Sequence, residues 1–281
     1  MKKEKRGDDR SMIYIILGLA VVFFVYMQIE TRMLSVTRQR IGEGKEQADF
    51  RIAFLSDIHI GKMYVNLETL SEKIRQEKAD CIALGGDYIE RVRHIDKFVR
   101  FLEAINPDKL PVLLVWGNHD YKAIKDDGGS LEEFREKVIK TGVDLLDNQS
   151  KVFEKGGKKY RIIGIPDKYA GKPDLQKAFS SIDKSEDKVV VLSHNPQIMY
   201  DIKDYEFDVL LSGHFHGPQV YTPFAIEFRS FRKETIARDG GIIRGLHKVE
   251  DRNIYIHRGV GNVFLPFRFC SNPELAMIEF E

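Results

Sequence analysis

At 281 residues the chain is long enough for one domain of the larger α/β kind plus an extension, and a core of that size folds without a disulfide or a metal. Its 44 Lys and Arg against 43 Asp and Glu leave a formal charge of +1, so the charge balance gives no support to a nucleic-acid partner. The two cysteines, Cys81 and Cys270, lie far apart and read as unpaired, which excludes a disulfide scaffold.

Residues 1–11 form a basic tail containing Lys2, Lys3, Lys5, Arg6 and Arg10. From Met12 to Ile29 runs an uncharged apolar stretch of the length that a bilayer core requires of a helix. The bulky residues of VFFVYMQIE leave no small-x-small cleavage site, so the stretch reads as an uncleaved, single-pass membrane anchor. Arg32, Arg38, Arg40 and Lys45 follow it, and the positive charge on the two flanks is nearly balanced, with a slight excess in front. The stretch 30–49 is polar, carries two glycines near its end, and reads as a partly helical tether to a domain over 50–281.

That domain opens with RIAFLSDIHIG. Ile52 to Leu55 has the unbroken apolar character of a central strand covered on both faces, and it then turns polar at Asp57 and His59. Helical spacing over Leu67 to Lys78, Ile95 to Ala104 and Leu131 to Lys140 alternates with strands over Cys81 to Leu84 and Pro111 to Trp116, a βαβ pattern. Beyond Gly142, Lys151 to Glu154 and Lys159 to Ile165 flank Gly156 and Gly157 as a hairpin. Strands then follow over Lys188 to Leu192, Asp208 to Leu211, Asn253 to His257 and Leu275 to Phe280. Two packed sheets with helices outside satisfy this order, an α/β class with layers α/β/β/α.

The first strand's ending recurs. CIALGGDYIE carries Asp87, PVLLVWGNHDY carries Asn118, His119 and Asp120, VVVLSHNPQ carries His194, and DVLLSGHFHGPQ carries His214 and His216. Of eight histidines, five lie in these turns. In α/β sheets ligands gather beyond the carboxyl ends of strands, and glycine there permits sharp turns and close approach. Carboxylates, imidazoles and an amide oxygen suit Mn²⁺, Zn²⁺ or Fe, and the absence of Cys from these turns argues against a thiolate site. Seven donors exceed the needs of one ion. Two divalent metal ions about 3.5–4 Å apart, sharing one carboxylate, would use them to clamp a phosphoryl group and activate a water between them. His94, His247 and His257 lie outside the pattern and read as non-ligands.

In order, DIH, GGDY, GNHD, SHNP and GHFH resemble the motif blocks of the calcineurin-like metallophosphoesterases, over roughly residue 50 to the C-terminus. The HG-x-Q continuation and the tail RGVGNVFLPFRFCSNPEL are similar to a bacterial phosphodiesterase branch that includes YkuE and YaeI. The resemblance implies a layered β-sandwich in which Asp57, His59 and His216 hold one metal, Asn118, His194 and His214 the other, and Asp87 bridges. It further implies that His119 serves the leaving oxygen, that Asp120 orients His119 through the second ring nitrogen, and that the catalytic domain lies outside the cytoplasm. Phe215 between the last two histidines and Pro218 after them depart from the family's small polar residue and second glycine.

The span from Gln219 to Lys248 mixes aromatics (Tyr221, Phe224, Phe228, Phe231) with cations (Arg229, Arg232, Lys233, Arg238, Arg244), a composition suited to phosphate and to acyl chains or the membrane interface. Arg258 and Arg268 are further candidates for phosphate contacts. The expected function is hydrolysis of a phosphodiester or pyrophosphate bond, with a lipid-linked phosphoester as one specific substrate. The alternatives are a phosphomonoesterase or protein phosphatase, and a membrane-tethered scaffold without turnover.

Overall fold

A computed structural model describes residues 5–42, 48–182, 188–221, 233–263 and 265–281. Two six-stranded sheets lie face to face. The first runs β1 (Ser35–Ile41), β12 (Glu274–Phe280), β2 (Phe50–Leu55), β3 (Cys81–Leu84), β4 (Val112–Leu114) and β5 (Asp144–Leu145). The second runs β10 (Gly245–Val249), β11 (Arg252–Ile256), β9 (Val209–Ser212), β8 (Lys188–Ser193), β7 (Lys158–Ile165) and β6 (Gln149–Lys155). Strands β2, β3 and β4 are parallel, as are β7, β8 and β9, so the ends that carry the motif residues emerge together.

The two-residue period of each strand divides its side chains between layers. On β2, Ile52 and Phe54 enter the core between the sheets, among Leu113, Tyr160, Val190, Leu211 and Ile278. Ala53 and Leu55 face outward onto α2 (Leu67–Gln76), α3 (Ile95–Ile105) and α5 (Leu131–Ile139), which contribute Leu70, Phe98, Phe101 and Phe134. The outer face of the second sheet is covered by α6 (Leu175–Phe179) and by the short helix α7 (Thr235–Arg238), through Phe179 and Ile236. The α/β/β/α layering is therefore present. The glycines of the β6–β7 hairpin, Gly156 and Gly157, have φ of +60° and +80°, as its tight turn requires.

The structure departs from the sequence expectation at one stretch and adds elements at others. The supposed tether contains β1, which pairs in parallel with β12 from Ser35↔Glu274 to Ile41↔Phe280 and forms the sheet's edge. Its polar lettering, SVTRQRI, belongs to an edge strand, where Arg38 pairs with Glu77 and Arg40 with Glu279, not to a free linker. The turn GNHD opens a further helix, α4 (Asn118–Asp127), and His247 lies on β10. The apolar N-terminal segment forms α1 (Lys5–Glu30), with a window of high mean hydropathy over Arg10–Glu30, long and apolar enough to cross a membrane. The aromatic and basic residues Phe224, Phe228, Arg229, Phe231 and Arg232 lie outside the described residues.

Phe54 is fully buried between the sheets and packs edge to face on Tyr255 and His257. Phe54→Ala is expected to cost about 3–5 kcal/mol, read from urea unfolding followed by the fluorescence of Trp116.

Candidate metal centre

Seven side chains from five strand ends converge. Asp57, His59, Asp87 and His216 are buried, and each offers a ligand atom within 4.8 Å of the others. His59 Nε2 lies 3.1 Å from His216 Nε2, which in turn lies 3.1 Å from Asp57 Oδ1. Asp87 Oδ2 reaches both halves of the cluster, 3.7 Å from His59 Nε2 and 3.2 Å from His194 Nε2. On the far side, Asn118 Oδ1 lies 3.1 Å from His194 Nε2 and 2.8 Å from His214 Nδ1.

The backbone accepts strain to make this convergence. Asp57, His59, Asp87, His214 and His216 all have positive φ, between 39° and 73°, a region that non-glycine residues seldom occupy and that concentrates at functional sites. Glycines supply the close approaches. A Cβ on Gly117 would stand 2.2 Å from Asp87 Oδ1, and one on Gly213 would stand 2.0 Å from Ser56 Oγ and 2.3 Å from Asp57 Oδ2.

Partners outside the cluster turn the imidazoles. His194 Nδ1 donates to the Gly85 carbonyl at 2.8 Å, which leaves Nε2 with its lone pair toward Asp87 and Asn118. Glu90 stands beside His59 as an ion-pair partner without a hydrogen bond, Oε1 being 3.2 Å from Nδ1, and its Oε2 lies 3.0 Å from His94 Nδ1. Glu234 lies 3.1 Å from His214 Nε2 and so frees Nδ1. Neither glutamate was marked by sequence reasoning. Glu90 ends the GGDYIE block, but only the folded chain brings it to a histidine thirty-one residues earlier.

Carboxylate, amide and imidazole atoms therefore crowd the centre, and buried Asp57 and Asp87 have no Lys or Arg ion pair among the described residues. Such a cluster fits cations. The electrostatics agree. Burial by itself lowers the pKa of His194, yet Asp87, together with Asp57 and Asp167, outweighs it and lifts the group to about 10. Burial raises Asp87, yet His194 and the neighbouring histidines hold it well below the usual carboxylate range. Burial and the proximity of His59 depress His216. The site thus calls for positive charge beside its carboxylates, and its oxygen and imidazole donors suit Mn²⁺, Zn²⁺ or Fe.

His119 stands beside the cluster. Its backbone N–H donates to Asp87 Oδ1 at 2.8 Å, and its ring meets that of His59 edge to face at 5.0 Å. Burial lowers its pKa, against the pull of Asp87. Next to it opens a cleft of about 430 Å³ lined by Lys62, Arg91, Arg93, Lys122 and Val263 among others.

Asp120, expected to orient His119, has a different task. One oxygen accepts from the N–H groups of Tyr88 and Ile89 at 2.8 and 3.1 Å, the other from Asp87 and Gly117 at 3.0 and 2.9 Å. This buried carboxylate ties the Asp87 turn to the start of α4, and no hydrogen bond to His119 occurs among the described residues. Burial and the charge of Asp87 push it up to about 7, with the backbone donors pulling the other way. Arg268 is also structural: fully buried, its guanidinium donates to the carbonyls of Arg258, Gly259, Gly261 and Ser271. Arg258 pairs with Glu274, and His257 is buried with Nδ1 accepting from Gly259 N–H at 2.8 Å. Phe215, the departure between the last two histidines, is buried in the core outside the second sheet.

Gly213→Ala is expected to push Asp57 out of the cluster and to lose bound metal, read by elemental analysis of the purified protein. Asp120→Asn turns one oxygen into a donor facing two N–H groups, and is expected to cost about 2–6 kcal/mol in urea unfolding.

Comparison with known proteins agrees with this geometry. Residues 50–218 match the model of the calcineurin-like phosphoesterases. The metallophosphoesterase YkoQ of Bacillus subtilis is 30% identical over 275 residues, covering 94% of this chain and 98% of its own. The phosphodiesterase YaeI of Escherichia coli is 29% identical, covering 91% of this chain and 92% of its own. The UDP-2,3-diacylglucosamine pyrophosphatase LpxG of Chlamydia muridarum is 26% identical and covers 97% of both chains. A donor cluster assembled from five motif turns, inside a match that spans more than half of the chain, makes this protein a member of the calcineurin-like phosphoesterase family and a metallophosphoesterase, a hydrolase of phosphoester bonds.

Proposed function

We propose that the protein is a membrane-anchored, two-metal hydrolase of a phosphodiester or pyrophosphate bond in a lipid-linked substrate. Asp57, His59 and His216 hold one divalent ion, Asn118, His194 and His214 the other, and Asp87 serves both. The observation that carries this is the position of Asp87 Oδ2 between the imidazoles of His59 and His194, at 3.7 and 3.2 Å. When bound, such ions supply Lewis-acid polarisation of the phosphoryl group and lower the pKa of a water.

The protein's own groups do the remainder. Glu234 and the Gly85 carbonyl hold the imidazoles of His214 and His194 in the tautomers that ligation needs, and the Glu90 carboxylate stands beside His59 Nδ1. His119, on the wall of the cleft, offers a ring N–H to the leaving oxygen and, in its imidazolium form, can pass it a proton and become neutral imidazole. Lys62, Arg93 and Lys122 on the same wall favour a substrate with negative charge beyond the bond that breaks, as in a diester or a pyrophosphate. The lipid-linked reading draws on LpxG, whose name gives a nucleotide-linked lipid as its substrate, and on the apolar α1. We place α1 across the bilayer as a single-pass anchor with the domain outside the cytoplasm, on the slight excess of basic residues before the span, and a reporter fusion at each end tests the sidedness.

Chelation is expected to abolish turnover of bis-p-nitrophenyl phosphate by the purified full chain, and Mn²⁺ to restore it. The diester should be preferred to p-nitrophenyl phosphate; the reverse preference sinks the diesterase reading. His119→Ala should lower kcat about 10²–10⁴-fold while metal content is retained, and Asp87→Ala should lose both.

A further inference from the structure

The last turns of α1 do not hang free of the domain. Phe23 and Tyr26 meet Phe269 edge to face at 5.1 and 6.3 Å, and Phe24 meets Phe267 at 5.9 Å. The Met27 carbonyl accepts from Arg268 N–H at 3.2 Å, the Gln28 amide donates to the Pro266 carbonyl at 2.6 Å, and Glu30 accepts from Ser271 N–H at 2.7 Å. Glu30 and Thr31 are buried in this contact. The helix is seated on residues 265–271.

The depth of that seat matters. Phe23 precedes Glu30 by seven residues, which is about 10 Å along a helix axis. The uncharged run 12–29 measures about 27 Å, no more than the thickness of a hydrocarbon core, so no part of it is spare. If α1 spans, the turn bearing Phe23, Phe24 and Tyr26 lies within the membrane boundary, and residues 265–269, packed against it, lie there too. Their exposed groups suit that place. Leu265 is 53% exposed, Pro266 is exposed, and around the helix exit stand Met33 and Tyr64, the latter beneath the Arg32 guanidinium at 5.4 Å.

The same segment is bonded to the site. Arg268 donates to Asn262 Oδ1 at 3.2 Å, and Asn262 donates to the Lys62 carbonyl at 3.1 Å, while Lys62 Nζ donates to the Val263 carbonyl. Gly261 N–H donates to the Asp57 carbonyl at 2.8 Å, and Ser271 Oγ to the Gly217 carbonyl at 2.8 Å, next to His216. Lys62 and Val263 are themselves walls of the cleft beside His119.

We infer that residues 265–269, with Arg32, Met33 and Tyr64, form a collar embedded in the bilayer interface, which fixes the mouth of the cleft beside His119 at the lipid surface. The substrates are then phosphoester headgroups of lipids in the same membrane, taken without leaving it. This rests on the proposed membrane span and phosphoesterase activity, and the test separates the three.

The full chain is placed in phosphatidylcholine vesicles with bromine on the acyl chains, and Trp emission is read for Leu265→Trp, Leu19→Trp and Tyr169→Trp. Trp116, buried in the core, supplies a common baseline. The Leu19 and Leu265 variants should each lose about half of their added emission, and the Tyr169 variant none. Quenching at Leu19 without quenching at Leu265 overturns the collar alone; no quenching at either overturns the span and the collar together. The unaltered chain should hydrolyse the p-nitrophenyl ester of dioleoyl phosphatidic acid at least about tenfold faster in its own vesicles than in separate, enzyme-free ones. Equal rates overturn the fixed cleft. Turnover of bis-p-nitrophenyl phosphate without turnover of the lipid ester overturns the lipid substrate class, and turnover of neither overturns the phosphoesterase reading on which it rests.

Discussion

Two carboxylates, Asp57 and Asp87, are buried at the end of the sandwich among imidazoles, with no Lys or Arg paired to them among the described residues. Charge that is buried must be compensated nearby; the neighbouring imidazoles supply part of that compensation, and the donor set fits bound cations for the rest. The rest of the catalytic end follows from that demand. Five residues around it keep left-handed backbone angles, and glycines at 117 and 213 leave no room for a side chain, because the donors must crowd within a few ångströms. A site strained in this way persists only when its surroundings hold it firmly.

The firmness comes from the two sheets. Parallel strands β2, β3 and β4 deliver Asp57, His59, Asp87 and Asn118, while β8 and β9 deliver His194, His214 and His216 from the opposite sheet. Their relative position is set by the core between them, where Ile52 and Phe54 pack on Val190 and Leu211. Asp120 adds a second brace, since one carboxylate gathers four N–H groups from two motif turns that are thirty residues apart in sequence. The donor cluster and the hydrophobic core are thus one mechanical unit.

The N-terminal region joins that unit too. Strand β1 extends the first sheet, and the end of α1 rests on the same loop that Arg268 binds to the site. Placement of the active end relative to the apolar helix is therefore a property of the fold, not of a loose linker.

The motif turns, the layered class and the apolar helix could be read from the letters because each is local: an apolar run that ends in Gly, His and Asp announces a strand end whatever surrounds it. What needed the folded chain was every feature whose meaning depends on a distant partner. β1 looks like a polar linker until β12, over two hundred residues later, supplies its hydrogen bonds. Asp120 looks like the companion of its neighbour His119 until the backbone of residues 87–89 arrives to claim both oxygens. Arg268 looks like a phosphate contact until burial commits its guanidinium to a set of loop carbonyls, and Glu90 carries no signal until folding sets it beside His59. Sequence determined which side chains could bind a cation and that strands would present them; tertiary structure decided which groups steer, brace and shield them, because burial and hydrogen bonding across the sheets are not written in neighbouring letters.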